Sequence, residues 1–200
     1  MTTGERPMRA DARRNYDRLV SAGREAFTRH GTDAPMDDIA RRAGVGPGTL
    51  YRHFPTRQAL LAAVYRSDVE TLVEQAREAT RDRPPEEAVA SWLRLLLEYT
   101  KQKHGLGSAI KTMLADDVET FAYCRVTMRS ALGETLAAAR EAGVLRSDAS
   151  TEDVLRLVHG LGTALASAPE DAERLLGFVL DGLRPPAERP APERPPERPT

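Results

Sequence analysis

Residues 36–54 read MDDIARRAGVGPGTLYRHF. Ile39, Ala40 and Ala43 recur at the spacing of one buried helical face, and Gly44 after them supplies the left-handed residue that ends a helix. Pro47 stands where a missing N–H costs nothing, at the first position of a second helix. The stretch therefore predicts a helix over 36–43, a sharp turn at Gly44-Val45-Gly46 and a helix over 47–54. Val45 is the one apolar residue of the turn and is placed to plug the angle between the helices. Leu50 and Phe54, four apart, face the core, which leaves Pro47, Gly48, Thr49, Tyr51 and His53 outward. That face is small at its start and hydrogen-bonding further along.

Two short helices joined by a Gly-containing turn of three or four residues form a helix-turn-helix, whose second helix enters the DNA major groove. The run IARRAGVGPGTLYRHFPTRQAL closely resembles the DNA-binding segment of the tetracycline-repressor (TetR) family. The matching residues are Ile39-Ala40, Ala43-Gly44-Val45, Gly48-Thr49-Leu50-Tyr51, His53-Phe54 and Arg57 to Leu60, within a likeness that covers about residues 11–65. The resemblance implies that Thr49, Tyr51, His53 and Arg57 hold phosphates while Pro47 and Gly48 approach base edges, with Arg52 as a further contact. One departure stands out. Family members place Ser or Thr just before the first helix of the pair, whereas this chain has Asp33-Ala34-Pro35, and a carboxylate there repels a phosphate. No DNA contact is assigned to it.

Charge is distributed as phosphate binding requires. Residues 1–57 hold eleven Arg against seven Asp and Glu, about +4. The remainder holds 29 − 11 = 18 basic and 30 − 7 = 23 acidic residues, about −5, so the whole chain stands near neutrality. The single cysteine, Cys124, excludes a disulfide framework within the chain and points to a reducing, cytoplasmic setting. The amino terminus has no apolar core of a leader, and no apolar run approaches a membrane span.

Outward from the motif the pattern is helical throughout. Residues 1–10 read as a loose polar arm. A first helix runs from Asp11 through Tyr16, Leu19, Val20, Ala26 and Phe27 and ends at Gly31. Thr56 caps a long connecting helix over 56–79, and Arg81-Asp82-Arg83-Pro84-Pro85 breaks it. These bounds give a DNA-binding domain over 11–72. A second domain over 84–183 follows, with helices marked by Val89 to Thr100, Leu106 to Leu114, Asp116 to Ala139, Ser150 or Thr151 to Leu165, and Pro169 to Leu183. The expected fold is all-α, of about nine helices. Residues 184–200 repeat AERP and PERP, with seven prolines in seventeen residues, and read as an extended, disordered tail.

The second domain carries no catalytic or metal signature: no His-x-x-x-His, Cys-x-x-Cys, Gly-rich phosphate loop or serine nucleophile elbow is present. Asp116 and Asp117 stand at a helix start, where the helix dipole favours carboxylates without any chemistry. An enzyme is not expected, nor a cofactor or metal. Helical bundles build small-molecule sites between facing helices, and the resemblance implies that one here regulates DNA affinity. The large or soft side chains at inward spacing are Trp92, Tyr99, Met113, Phe121, Cys124, Met128 and His159, each of which is also ordinary core material. Arg125, at the edge of that face, has three readings: an anionic ligand, solvent or an intersubunit contact. The family pairs its last two long helices across a two-fold axis, which here implicates Leu157, Gly160, Leu161, Leu165, Leu176, Val179 and Leu180; the other reading is that they complete the core of one chain.

The expectation is a one-component transcriptional regulator, a repressor, that binds a pseudo-palindromic double-stranded operator as a homodimer and is released by a small-molecule effector. An activator fits the same residues. The alternative from another class is a helical protein-interaction module that keeps the hairpin without binding DNA.

Overall fold

The helix α2, Met36–Arg42, ends as its glycine requires. Gly44 adopts a φ of +67°, and its N–H reaches Arg41 O at 3.1 Å while the Val45 N–H reaches Ala40 O at 3.0 Å. This paired closure of the last turn is open only to a residue that tolerates the left-handed region. Val45 packs half-buried against the core beneath, and α3, Pro47–His53, leaves the turn with proline in its first turn.

The computed structural model describes residues 5–102, 110, 112–165 and 169–186. Besides α2 and α3, its helices are α1, Glu5–His30, α4, Arg57–Thr80, and α5, Pro85–Gln102. They are followed by α6, Val118–Glu141, α7, Thr151–Ala164, and α8, Ala172–Leu183. Among the described residues every regular element is helical, as the periodicity requires. The expected short helix over 106–114 lies largely outside the described residues, as do 1–4 and residues 187–200 of the Pro-rich tail. Two boundaries differ from the sequence expectation by three residues or more. The first helix reaches back to Glu5, into the stretch read as a loose arm. A 3-10 turn, Pro169–Asp171, precedes α8 instead of a helix that starts at Pro169.

Helix starts follow side-chain chemistry. Thr56 caps α4 by accepting the Ala59 N–H at 3.1 Å. Asp117 caps α6 by accepting the Thr120 N–H at 2.9 Å, and this bond holds its carboxyl below the usual range. Ser150 and Asp153 form a reciprocal capping box at the start of α7. Asp33 does not cap α2; Pro35 occupies the cap position, and no side chain supplies the bond.

Two apolar cores result. One gathers Leu19, Phe27, Ile39, Leu50, Phe54, Leu60, Leu61 and Val64, closed by Ile110 and Leu114 from the second region. The other gathers Leu72, Val73, Trp92, Leu96, Leu132, Leu136, Val158 and Leu176. Helix α4 serves both, giving its first turns to one and its last turns to the other. The core therefore changes hands within α4 and not at the Arg81–Pro85 break. Between the two shares, Asp68 is buried and pairs with Arg24 of α1 at 2.5 Å, and Arg24 also donates to Ser67 Oγ at 3.0 Å. That ion pair fixes the rotation of α4 against α1.

Candidate DNA interface and effector cleft

Helix α3 buries only Leu50, and its remaining side chains lie on the outside of the hairpin. Pro47, Gly48 and Arg52 are exposed, Thr49 is half-exposed, and Tyr51 presents a phenol that is 47% exposed despite its size. No Cβ would clash at Gly46 or Gly48, so the start of α3 is an open, low surface. Arg52 and His53 stand in its last turn.

Two of the expected contacts are placed differently from the rest. His53 is half-buried, its ring 6.3 Å from Tyr16 and 6.2 Å from Phe54 between centroids, and Tyr16 lies 5.1 Å from Phe54. This three-ring stack pins the end of α3 to α1. Arg57 Nη1 donates to the carbonyl of Thr32 at 2.8 Å and to that of Ala34. It thereby ties the start of α4 to the turn ahead of α2 and satisfies carbonyls that Asp33-Ala34-Pro35 leaves without a helical partner. Both residues brace the hairpin from behind.

Farther along the chain, a cleft of about 550 Å³ opens between α4, α5, α6 and α7. Of the side chains expected there, Tyr99, Phe121, Cys124, Met128 and His159 line it. Trp92 and Met113 do not. Trp92 is 1% exposed at the heart of the second core, and Met113 packs against the first. Helical spacing assigns both to an inward face but cannot say whether that face meets another helix or a gap. Tyr65, Leu96, Thr100 and Leu155 also form the wall, and Arg125, Arg129, Glu152 and Arg156 stand at it. Burial pushes the Tyr65 phenol and the Cys124 thiol each up to about 12, and the Tyr99 phenol higher still. All three are neutral near pH 7. Among the described residues no group of His, Cys, Asp and Glu is arranged to hold a metal ion, and no helix is long and apolar enough to cross a membrane.

Comparison with known proteins decides the family. Residues 19–64 match the model described as bacterial regulatory proteins, tetR family, and residues 84–185 match the transcriptional regulator SbtR-like C-terminal domain. The chain belongs to the TetR family.

Among similar proteins, a TetR transcriptional regulator from Streptomyces coelicolor, SCO0520, is 38% identical, with 86% of this chain and 99% of that one covered and a TM-score of 0.71. A TetR transcription regulatory protein from Mycobacterium vanbaalenii is 34% identical, with coverage of 89% and 99% and a TM-score of 0.68. The HTH-type transcriptional regulator UidR of Escherichia coli K12 is 25% identical over 189 residues, which span 88% of this chain and 93% of UidR. This TetR-family chain is therefore a transcriptional regulator with a helix-turn-helix DNA-binding domain, in a family that is not enzymatic.

The two family matches leave residues 65–83 between them, the part of α4 that starts at the cleft residue Tyr65 and the three residues after the helix. In this TetR-family chain the residues expected at a subunit interface divide. Leu165 and Leu176 are buried in the second core, because α8 folds back onto α5 and α7 of the same chain, so they are removed from the interface set. Leu161, Val179 and Leu180 are half-buried against that core. Leu157 and Gly160 face outward. Leu157, 53% exposed, shares a shallow groove with Val179 and with Phe178, which is 62% exposed. Sequence reasoning missed Phe178 here, and at the cleft it missed Tyr65, Leu96, Thr100, Leu155, Arg129, Glu152 and Arg156. Phe178 lies between inward-facing Leu175 and Val179, and a helical wheel drawn through those neighbours would have marked it as the outward aromatic.

Proposed function

We propose that this regulator is a homodimeric repressor that binds a pseudo-palindromic operator through α3 and is released when a small molecule enters the α4–α7 cleft. The observation that carries the reading is the outer face of α3. Pro47 and Gly48 admit a close approach to base edges, while Thr49, Tyr51 and Arg52 offer donors to phosphates and bases. His53 and Arg57 hold that face at a fixed attitude, with any contact of their own to phosphate made from half-buried positions.

One recognition helix covers a half-site, so two must act together, about 34–36 Å apart on one side of the duplex. The exposed apolar strip of Leu157 and Phe178, with Gly160 beside it, supplies a surface for that pairing. Burying an aromatic ring otherwise left in water favours association. Release works by population shift: the ligand favours a conformation in which α4 holds the two heads out of register with successive grooves. The coupling is reciprocal, so operator DNA weakens ligand binding by the same factor.

The test is retention of genomic fragments by the purified protein, followed by a gel-shift titration with Tyr51→Ala. Selective retention that the substitution abolishes supports the reading. Uniform retention of all fragments, or unchanged affinity in the variant, refutes it.

A further inference from the structure

The cleft has a neutral apolar floor and a cationic rim. Tyr65, Phe121, Cys124, Met128 and Leu155 form the floor, where burial keeps the phenol and thiol protonated at neutral pH. Three guanidinium groups stand at the rim. Arg125 and Arg129 lie one turn apart on α6, on one side of the opening, and Arg156 lies on α7. Their partners differ. Arg129 pairs with Glu152 at 2.9 Å, which neutralises the one carboxylate that lines the cleft among the described residues. Arg156 is 3.5 Å from Asp153, whose other oxygen already serves the Ser150 cap. Arg125 has no acidic partner among the described residues.

An unpaired guanidinium beside a desolvated apolar wall is matched by a ligand with an anionic head and an apolar body, since Arg offers a planar fork to a carboxylate. A cationic head would meet the uncompensated charge of Arg125, and a neutral one would leave the fork to water. We propose that the cleft takes an amphiphilic carboxylate, its aryl or medium-chain aliphatic body on the Phe121–Met128 floor and its head on Arg125. This rests on the cleft being the effector site proposed above. The volume of about 550 Å³ suits a small organic molecule and excludes a bare inorganic anion as a sufficient occupant.

The test uses the full-length chain and two probe trios that share a body and differ in the head: 4-phenylbutyrate, 4-phenylbutanol and 4-phenylbutylamine, and octanoate, octanol and octylamine. Calorimetric titration reads binding, and the rate of Cys124 alkylation reports occupancy of this cleft. Expected are binding of the carboxylates with slowed alkylation, weaker binding of the alcohols and none of the amines. Arg125→Gln lowers carboxylate affinity about tenfold and leaves alcohol affinity unchanged. Met128→Trp, which fills the cleft, abolishes both, and alkylation of the unaltered chain localises the probe if that variant fails to fold. Equal binding of alcohols or amines, no binding by either carboxylate, or an Arg125→Gln chain that keeps full preference for carboxylate overturns the proposal. Carboxylate binding at the cleft that leaves affinity for a retained DNA fragment unchanged overturns the effector reading and leaves the ligand class standing.

Discussion

Tyr65 and Phe121 meet edge to face, their ring centroids 5.7 Å apart and their planes at 60°. Both rings line the cleft, and both pack against the core that supports the helix-turn-helix. Tyr65 belongs to α4 and Phe121 to α6, so the ring contact joins the two regions. Nearby, Arg66 of α4 donates to Thr120 Oγ1 at 3.0 Å, and the Tyr123 hydroxyl donates to Glu70 at 2.6 Å. These contacts tie α4 to α6 beside the cleft.

Phe121→Leu keeps apolar filler at that joint and removes the ring contact. Its expected stability cost is about 1 kcal/mol, for a lost ring contact and some lost volume at a partly buried site. Operator affinity without ligand should stay within a few-fold of the unaltered protein, while the drop in affinity caused by a bound effector shrinks. A gel shift with and without saturating ligand checks this. An unchanged response would place the coupling elsewhere.

The thiol and phenol of the cleft give a pH signature. Both Cys124 and Tyr65 are raised by burial, to about 12 from ordinary values near 9 and 10. The native state therefore retains protons that the unfolded chain loses first. Their contribution is fully present below pH 9 and is lost as pH rises toward 12. Denaturant midpoints should fall through that alkaline window, and Cys124→Ser should remove the part of the fall that starts near pH 9. At pH 8 the native thiol should alkylate on the order of a thousandfold more slowly than in denaturant, from three pKa units of lost thiolate. Fast native alkylation would mean the cleft is wetter than its burial implies.

Gly162 and Gly160 separate core packing from the proposed subunit pairing. A Cβ on Gly162 would stand 2.7 Å from Thr100 Cβ and Cγ2, so α7 lies close against α5 of the same chain. Gly162→Ala should cost about 1–2 kcal/mol, the overpacking penalty less the helix-propensity gain. A Cβ on Gly160 meets nothing within 4 Å. Gly160→Ala should be neutral or stabilising by up to about 1 kcal/mol, whereas Gly160→Trp should dissociate the proposed dimer. Thermal unfolding and light scattering read the two effects. A Gly160→Trp chain that remains dimeric would move the interface away from α7.

Much of this was legible because it is local. Gly44, Val45 and Pro47 specify their turn from backbone chemistry alone, and the caps at Thr56 and Ser150 follow from a hydroxyl three residues ahead of an N–H. The cleft was legible only in part. Periodicity places Trp92 and Tyr99 on one face of α5 equally, yet one fills the core and the other lines a gap, because that depends on where α6 and α7 diverge. Arg57 shows a second limit. Its position implies phosphate binding, while its fold-specific partners, the carbonyls of Thr32 and Ala34, are set by a turn far from it in sequence. Leu165 and Leu176 show a third, since an apolar stripe does not say which chain covers it.

The central claim is that the outer face of α3 holds DNA, two copies to a site. Tyr51 is one hydrogen-bond donor on that face, so Tyr51→Ala removes about 1 kcal/mol at each of two half-sites, roughly thirtyfold in affinity. Fluorescence anisotropy on a retained fragment, titrated at several salt concentrations, measures this directly. The account predicts one dimer per palindrome and log affinity that falls steeply and linearly with log salt. It also predicts the thirtyfold loss in Tyr51→Ala with unchanged helix content, and a shallower salt slope in Arg52→Gln. Affinity indifferent to salt and to both substitutions would contradict it.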